Sequence, residues 1–381
     1  MSEYQRYEFM TIDRPLTRMQ LDAVNALSSH IEASSTHAMI EYHWGDFKHN
    51  PIQVLHEFFD GFLYWANWGS PELALRFPHG MLPVDLIDGY ELEDFVTFTR
   101  YPDYDILDIH FGEMEAPDEW IEYELGSLIA IRDELMEDDR RALYIAWLAS
   151  QRMGGSYDEE EDDEISEISM PPVPPAFGML TAAQQALAEL LQVPEELLLA
   201  AAQHSNAAVS STEEDDVAAW VKLLPPERQY EYLVRLARNE PGLSRLLVRE
   251  LRQLSQNKTR AMPPTGERVS YDELLVESKA INARLEREKR EREEVERLRH
   301  LQDIHDHQGD YWHQVDQEVV RGSGPGYDEA VRVLVELRGA ANQFNETLEF
   351  QDRFRAWVRP HLRRPAFVKR LQVHKFTLPE A

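Results

Sequence analysis

The chain has 381 residues, of which 43% are hydrophobic, with 8 Trp and 15 Phe; 70 Asp+Glu against 39 Lys+Arg give a formal net charge of −31 at pH 7. That length and apolar content supply at least one large buried core and room for two or three domains, which excludes a wholly disordered chain. The absence of cysteine excludes disulfides, thiolate zinc fingers, iron–sulfur clusters and thiol catalysis, so a metal would have to be held by His, Asp or Glu.

The charge is unevenly distributed. Residues 1–150 carry 9 Lys+Arg against 29 Asp+Glu, residues 151–216 carry 1 against 15, and residues 217–381 carry 29 against 26. The acidic front repels polyanions, so a nucleic acid would have to dock near the far end of the chain. No apolar run approaches the ~20 residues of a membrane span, and the opening residues lack the basic and apolar regions of a secretion signal. These features predict a cytoplasmic protein with no membrane partner.

In chain order, the pattern predicts strands at 4–13 and 36–44 around a helix at 18–31, in which Leu21, Val24 and Leu27 fall at helical spacing. A helix opened by Pro51 is predicted over 52–66, followed by a strand at 72–77 and a hairpin turning at Pro102-Asp103. Helices near 118–136 and 138–150 complete an aromatic-rich α+β domain, residues 1–153, with a mixed or antiparallel sheet and helices on one side. Residues 154–176 combine a glycine pair, an acidic block and a proline cluster, and predict a flexible linker.

Beyond it the pattern is all helical. Segments 181–192, 194–204, 213–224, 226–238 and 242–256 give a small helical bundle, residues 177–257, with prolines at the breaks. Ser270 can cap a long charged helix whose alternating charges support a solvent-exposed surface; with its extension it occupies 270–320. A helical hairpin and a basic last helix fill 327–381.

Several clusters invite a chemical reading. Asp46 and Lys48 in "HWGDFKHNP" match the short acid-x-lysine end of a metal-dependent nuclease motif, but the anionic surroundings favour a turn in which Asn50 caps and Pro51 starts a helix. His300, His305, His307 and His313 with Asp303, Asp306 and Asp310 can offer metal ligands, or can solvate a helix surface. Asp103, Asp105, Asp108, Glu113 and Glu115 contain the carboxylates that a glycosidase pair requires, with surface solvation as the alternative. Phe62, Tyr64, Trp65 and Trp68, together with Phe58 and Phe59, cover too much of a helix circumference for one buried stripe, so they serve the core or a protein partner. The cations Arg353, Arg355, Arg359, Arg363, Arg364, Lys369, Arg370 and Lys375, interleaved with aromatic rings and free of acids, can bind nucleic acid or the chain's own acidic regions. No phosphate-cradling glycine motif and no nucleophile elbow occurs, which disfavours nucleotide-triphosphate, dinucleotide and serine-hydrolase chemistry.

Two stretches carry a resemblance. "YEFMTIDRPLT", "EYHWGDFKHNP" and "FFDGFLYWANWGSPELALRFP" resemble a family of bacterial proteins of unknown function over roughly residues 4–150, which implies a bacterial cytosolic origin and supplies no catalytic residue. "YDEAVRVLVELRGAANQ" and "EFQDRFRAWVRPHLRRPAFVKRL" resemble the helical tails of bacterial SWIM zinc-finger proteins; the finger's cysteines are absent, so its zinc is not implied here. The combined expectation is a non-enzymatic adaptor that binds other proteins and needs no cofactor. A nucleic-acid-associated accessory factor, acting beside a helicase through the basic tail, is the alternative, and a metal-dependent hydrolase the third.

Overall fold

The computed structural model describes residues 3–82, 86, 89–92, 95–112, 114, 121–154, 170–207, 217–238, 243–256 and 267–379. Its chain contacts divide it into two compact units, Met1–Ile281 and Asn282–Ala381.

The first unit is built on a seven-stranded sheet: β1 (Gln5–Met10), β2 (Ile31–Ala33), β3 (His37–Tyr42), β4 (Gly61–Ala66), β5 (Glu72–Pro78), β6 (Val96–Arg100) and β7 (Tyr104–His110). Their spatial order is β2-β3-β1-β4-β5-β7-β6, and every pairing is antiparallel. Alternation along the strands creates two apolar faces rather than one. Phe9, Phe62 and Ala74 stand opposite one another across β1, β4 and β5. They pack with Val24 of α1 (Arg18–Asn25) and Val54 and Leu55 of α2 (Pro51–Phe58).

Gly61 precedes Phe62 and faces the other way. A Cβ there would lie 2.2 Å from Ile129 Cδ1 and 3.6 Å from Leu125, so the second face is covered by α3 (Leu125–Leu128) and α4 (Ile131–Met136). The expectation of helices on one side is corrected: both faces carry leucine and phenylalanine, and both need cover.

The predicted helix 52–66 is also corrected. Helix α2 ends at Phe58, and Phe59-Asp60 return the chain into β4. Asp60 forces that break. Its Oδ2 accepts hydrogen bonds from the backbone N–H groups of Ile12 (2.6 Å) and Asp13 (2.9 Å), while Oδ1 accepts from Arg76 Nη2 at 2.8 Å. Arg132 donates through Nε to the Arg76 carbonyl (2.6 Å) and through both terminal nitrogens to the Asp13 carboxylate. Four charged side chains therefore tie β1, β4, β5 and α4 together with every charge paired.

On helix α5 (Arg141–Gly154) the Tyr144 ring packs against both Trp147 and Phe177. Its neighbour α6 (Ala182–Leu190) opens with a capping box between Thr181 and Gln184, and the buried Gln184 side chain also bonds Glu134 and Asp139, each at 2.9 Å. Of the expected linker, residues 155–169 lie outside the described residues. Its proline-rich end is packed, in contrast to a free tether: Val173 is fully buried, and its N–H donates to the Glu267 carbonyl at 3.0 Å. Prolines remove donors and fix an extended path, so such a segment can lie in a groove without leaving unsatisfied N–H groups.

The unit continues through α7 (Glu195–Gln203), α8 (Val217–Val221), α9 (Pro226–Ala237) and α10 (Leu243–Gln256). Helix α11 (Tyr271–Asp306) begins at a capping box in which Ser270 and Glu273 exchange hydrogen bonds.

The second unit is all helical, with α12 (Gln308–Arg321), α13 (Gly324–Gln343), α14 (Thr347–Val358), a 3-10 turn at Arg359–His361 and α15 (Pro365–Val373). Gly322 ends α12 in the left-handed conformation (φ 68°), and Ser323 caps the next helix, with Pro325 in its first turn. Its core joins Trp312, Val319, Leu334, Phe350, Phe354 and Phe367. No helix among the described residues is long and apolar enough to cross a membrane.

Candidate functional site

The sheet face that carries the Phe9–Phe62–Ala74 row changes character at one end. Strand register sets Tyr7 opposite Tyr64, Tyr64 opposite Glu72, and Glu72 opposite His110, so four side chains of one row cross β1, β4, β5 and β7. In the adjacent row, Asp108 stands opposite Ala74 on one side and Thr97 on the other. Directly opposed residues have Cβ atoms about 5 Å apart and diagonal ones about 7–8 Å, so Glu72, Asp108 and His110 meet over Ala74, whose methyl leaves them room. One ligand-type atom from each of the three lies within 4.8 Å of the others, and among the described residues theirs is the set of His and acid side chains that converges in this way.

The electrostatics of this corner are unbalanced. Burial pushes the Glu72 carboxyl well above the usual carboxylate range, and the neighbouring Asp108 charge pushes it further. Burial alone raises Asp108 and lowers His110. Asp108 Oδ1 is buried without a hydrogen-bond partner among the described residues. Arg76, two positions beyond Ala74 on the same face of β5, cannot neutralise Glu72. The two lie about 13 Å apart along the strand, and Arg76 is already engaged by Asp60.

The tyrosines beside the acids belong to a second, satisfied network. Tyr7 and Tyr64 both donate to Gln5 Oε1 (2.9 and 3.2 Å), and Gln5 Nε2 donates to the Gly45 carbonyl (2.7 Å) and to Asp46 Oδ1 (3.0 Å). Burial, with the Asp46 and Glu72 charges, raises both phenols, Tyr7 to about 12. This anchoring settles the role of "HWGDFKHNP". Gly45 turns with φ 81°, Asn50 accepts from Gln53 N, and Pro51 begins α2, as the turn reading expects. Phe47 enters the core, whereas Trp44 is 75% exposed. Asp46 is held by glutamine and Lys48 is exposed.

Other sequence candidates do not converge. Asp105 is buried on the opposite face from Asp108, where it accepts from His79 Nδ1 (3.0 Å) and the Gly80 N–H (2.9 Å). Asp103 sits in the hairpin turn, and Glu113 and Glu115 lie outside the described residues. The four histidines, His300 and His305 on α11, His307 just after it and His313 on α12, find separate partners: His300 with Glu336, His305 with Glu346 and the Phe344 ring, His307 with Asp303, and His313 with Gln317.

The aromatic group expected on a helix lies on β4 and beyond it. Phe62 is 0% and Trp65 4% exposed, Trp65 donates to the Tyr123 carbonyl, and Tyr64 and Trp68 are half-buried. The partner surface expected here is corrected for Phe62 and Trp65, which are covered. Strand alternation sends Phe62 and Trp65 to opposite covered faces, which explains why no single helical stripe accommodated them.

The eight tail cations divide evenly. Arg353 stacks over the Trp312 ring (4.8 Å to its centroid), Arg355 meets Asp352 at 3.7 Å, Arg364 donates to the Val319 carbonyl, and Arg370 pairs with Asp328 at 2.6 Å. Arg359, Arg363, Lys369 and Lys375 are exposed and make no ion pair among the described residues. The rings between them are structural: Phe354 and Phe367 are buried, and Trp357 donates to Asp316 Oδ1 at 2.6 Å.

One surface feature has no counterpart in the sequence candidates. On α9, Tyr230, Leu233 and Leu236 are 70%, 63% and 65% exposed. They recur at three-residue spacing along one side of the helix, while Tyr232 turns inward onto a small core with Leu224, Leu243 and Leu251.

Comparisons with protein-family models, with curated proteins and with solved structures find no match to this chain.

Proposed function

We propose that the chain is a non-enzymatic adaptor that binds other proteins in a bacterial cytosolic complex. The observation that carries this reading is the exposed Tyr230–Leu233–Leu236 row on α9. Covering an exposed leucine is worth about 1.5–3 kcal/mol, so three large apolar groups on one helix face favour contact with an apolar groove on a partner. The small four-residue core beneath α9 supports the same reading, because a partner that covers the helix also completes the packing around it.

A photo-crosslinker at position 233 in the full chain tests the proposal. The expected result is a discrete heterologous adduct that disappears in Tyr230→Glu, with circular dichroism unchanged. Adducts only to a second copy of the chain, or none from the native host, would remove it. The accessory-factor reading keeps support from the cations Arg359, Arg363, Lys369 and Lys375, which make no ion pair among the described residues; of the rings between the tail cations, Phe354 and Phe367 are buried and Trp357 is tied to Asp316. A low-salt gel shift abolished by replacing those four with glutamine would favour it.

A further inference from the structure

We infer that Glu72, Asp108 and His110 form a binding site for one divalent transition-metal ion of the Mn²⁺ or Zn²⁺ type. The inference is independent of the adaptor reading and rests on three observations.

The first is the donor set. Two carboxylates and one imidazole suit a borderline ion, whereas Mg²⁺ and Ca²⁺ take oxygen ligands in larger number. The second is spacing. Ligands held about 2.0–2.2 Å from one ion lie roughly 3–4.3 Å from each other, and here the three atoms lie within 4.8 Å, so closure needs only small side-chain rotations. His110 makes no hydrogen bond or ion pair with either acid; the group is spread around a gap instead of collapsed into a salt bridge. The third is the unmet demand for positive charge. Asp108 Oδ1 is buried with no donor among the described residues, and Arg76, on the same face of β5, is committed to Asp60. Buried acceptors in native proteins are almost always satisfied, and a cation held between Asp108, Glu72 and His110 would supply what this carboxylate lacks.

The frame suits the task. All three ligands stand on adjacent central strands whose register fixes their separation, and His110 is exposed, which leaves an entry path and further coordination positions for water. An ion here would join β5 to β7 through side chains as well as backbone.

The test uses the full chain after chelator treatment, titrated calorimetrically with MnCl₂ and separately with ZnCl₂. One equivalent of either ion should bind. Manganese electron paramagnetic resonance should show coupling to one imidazole nitrogen, lost in His110→Gln. Asp108→Asn and Glu72→Gln should each weaken binding by at least about tenfold, the lower bound set by groups that merely support metal ligands. Because His110 is exposed, H110Q keeps the test valid where a buried variant fails to fold. Absence of binding by folded wild-type protein, affinity unchanged in H110Q and D108N, or loss of binding in His305→Gln instead would each overturn the site.

Discussion

Strand β5 places two charged residues, half-buried Glu72 and buried Arg76, on the same face with one alanine between them, and their surroundings are opposite. Arg76 meets Asp60, the His56 carbonyl at 2.7 Å and the Tyr104 ring at 4.3 Å. Glu72, four residues earlier, meets another acid. Although burial alone would raise Asp60, the charge and hydrogen bond of Arg76 hold it below the usual carboxylate range; Asp108, with no such partner, is raised. The lesson is that burial does not decide the fate of a carboxylate. The number of donors converging on it does.

The largest expected effect breaks the satisfied side. Arg76→Leu strands the Asp60 charge and should cost about 3–5 kcal/mol in denaturant unfolding. The same pair fixes a pH response. Because Asp60's folded pKa lies below its ordinary 3.8, its contribution is present above that value and is lost as pH falls through the depressed one. Acid unfolding of wild type should therefore be steeper than that of R76L.

Next, Phe62→Ala should cost about 3–5 kcal/mol without affecting partner capture. Retained stability would return Phe62 to a surface role and void the row on which the acid corner is built.

A smaller effect of opposite sign sharpens the comparison. In metal-free protein, Asp108→Asn removes a carboxylate whose charged form burial disfavours and should stabilise by about 1 kcal/mol at neutral pH. Asp60→Asn, by contrast, should destabilise. If both variants destabilise, the two regions do not differ as described.

The smallest effect belongs to His204, which bridges Glu267 (3.0 Å) and Glu277 (2.9 Å) at the start of α11. Its pKa is raised above 6.5, chiefly by the hydrogen bond to Glu267. Its contribution is therefore full below 6.5 and lost as pH rises through the raised value. At a partly exposed site this amounts to a few tenths of a kcal/mol. It should appear as faster amide exchange at residues 271–277 on the alkaline side, beyond the intrinsic pH effect, and be absent in His204→Gln.

Much of the fold was legible because its signals are local. Asn50-Pro51 sets the start of α2, Ser270 and Glu273 start the long helix, and the Gly322-Ser323-Gly324-Pro325 break separates two helices whatever they pack against. The run Phe58–Trp65 was misread because, Asp60 and Gly61 apart, apolar residues fill every position. When both faces of a strand are covered, period 2 vanishes, and only Asp60's distant partners show where the helix stops.

The acid corner was legible only in halves. "ELALRF" and "YDILDIH" each place an acid on one side of an apolar alternation, and Asp108 drew notice while Glu72 and His110 did not. What joins them is the register Glu72↔His110 and Ala74↔Asp108.

Caps and turns were thus determined by the sequence itself, since each depends on residues a few positions apart, whereas the end of α2 was set by Asp60's contacts with Ile12, Asp13 and Arg76. Which strands became neighbours, which carboxylates were buried together and which cations were already engaged were decided by the tertiary structure. Charges interact through space across pairings that join residues 38 positions apart, such as Glu72 and His110, and a linear pattern carries no record of that distance.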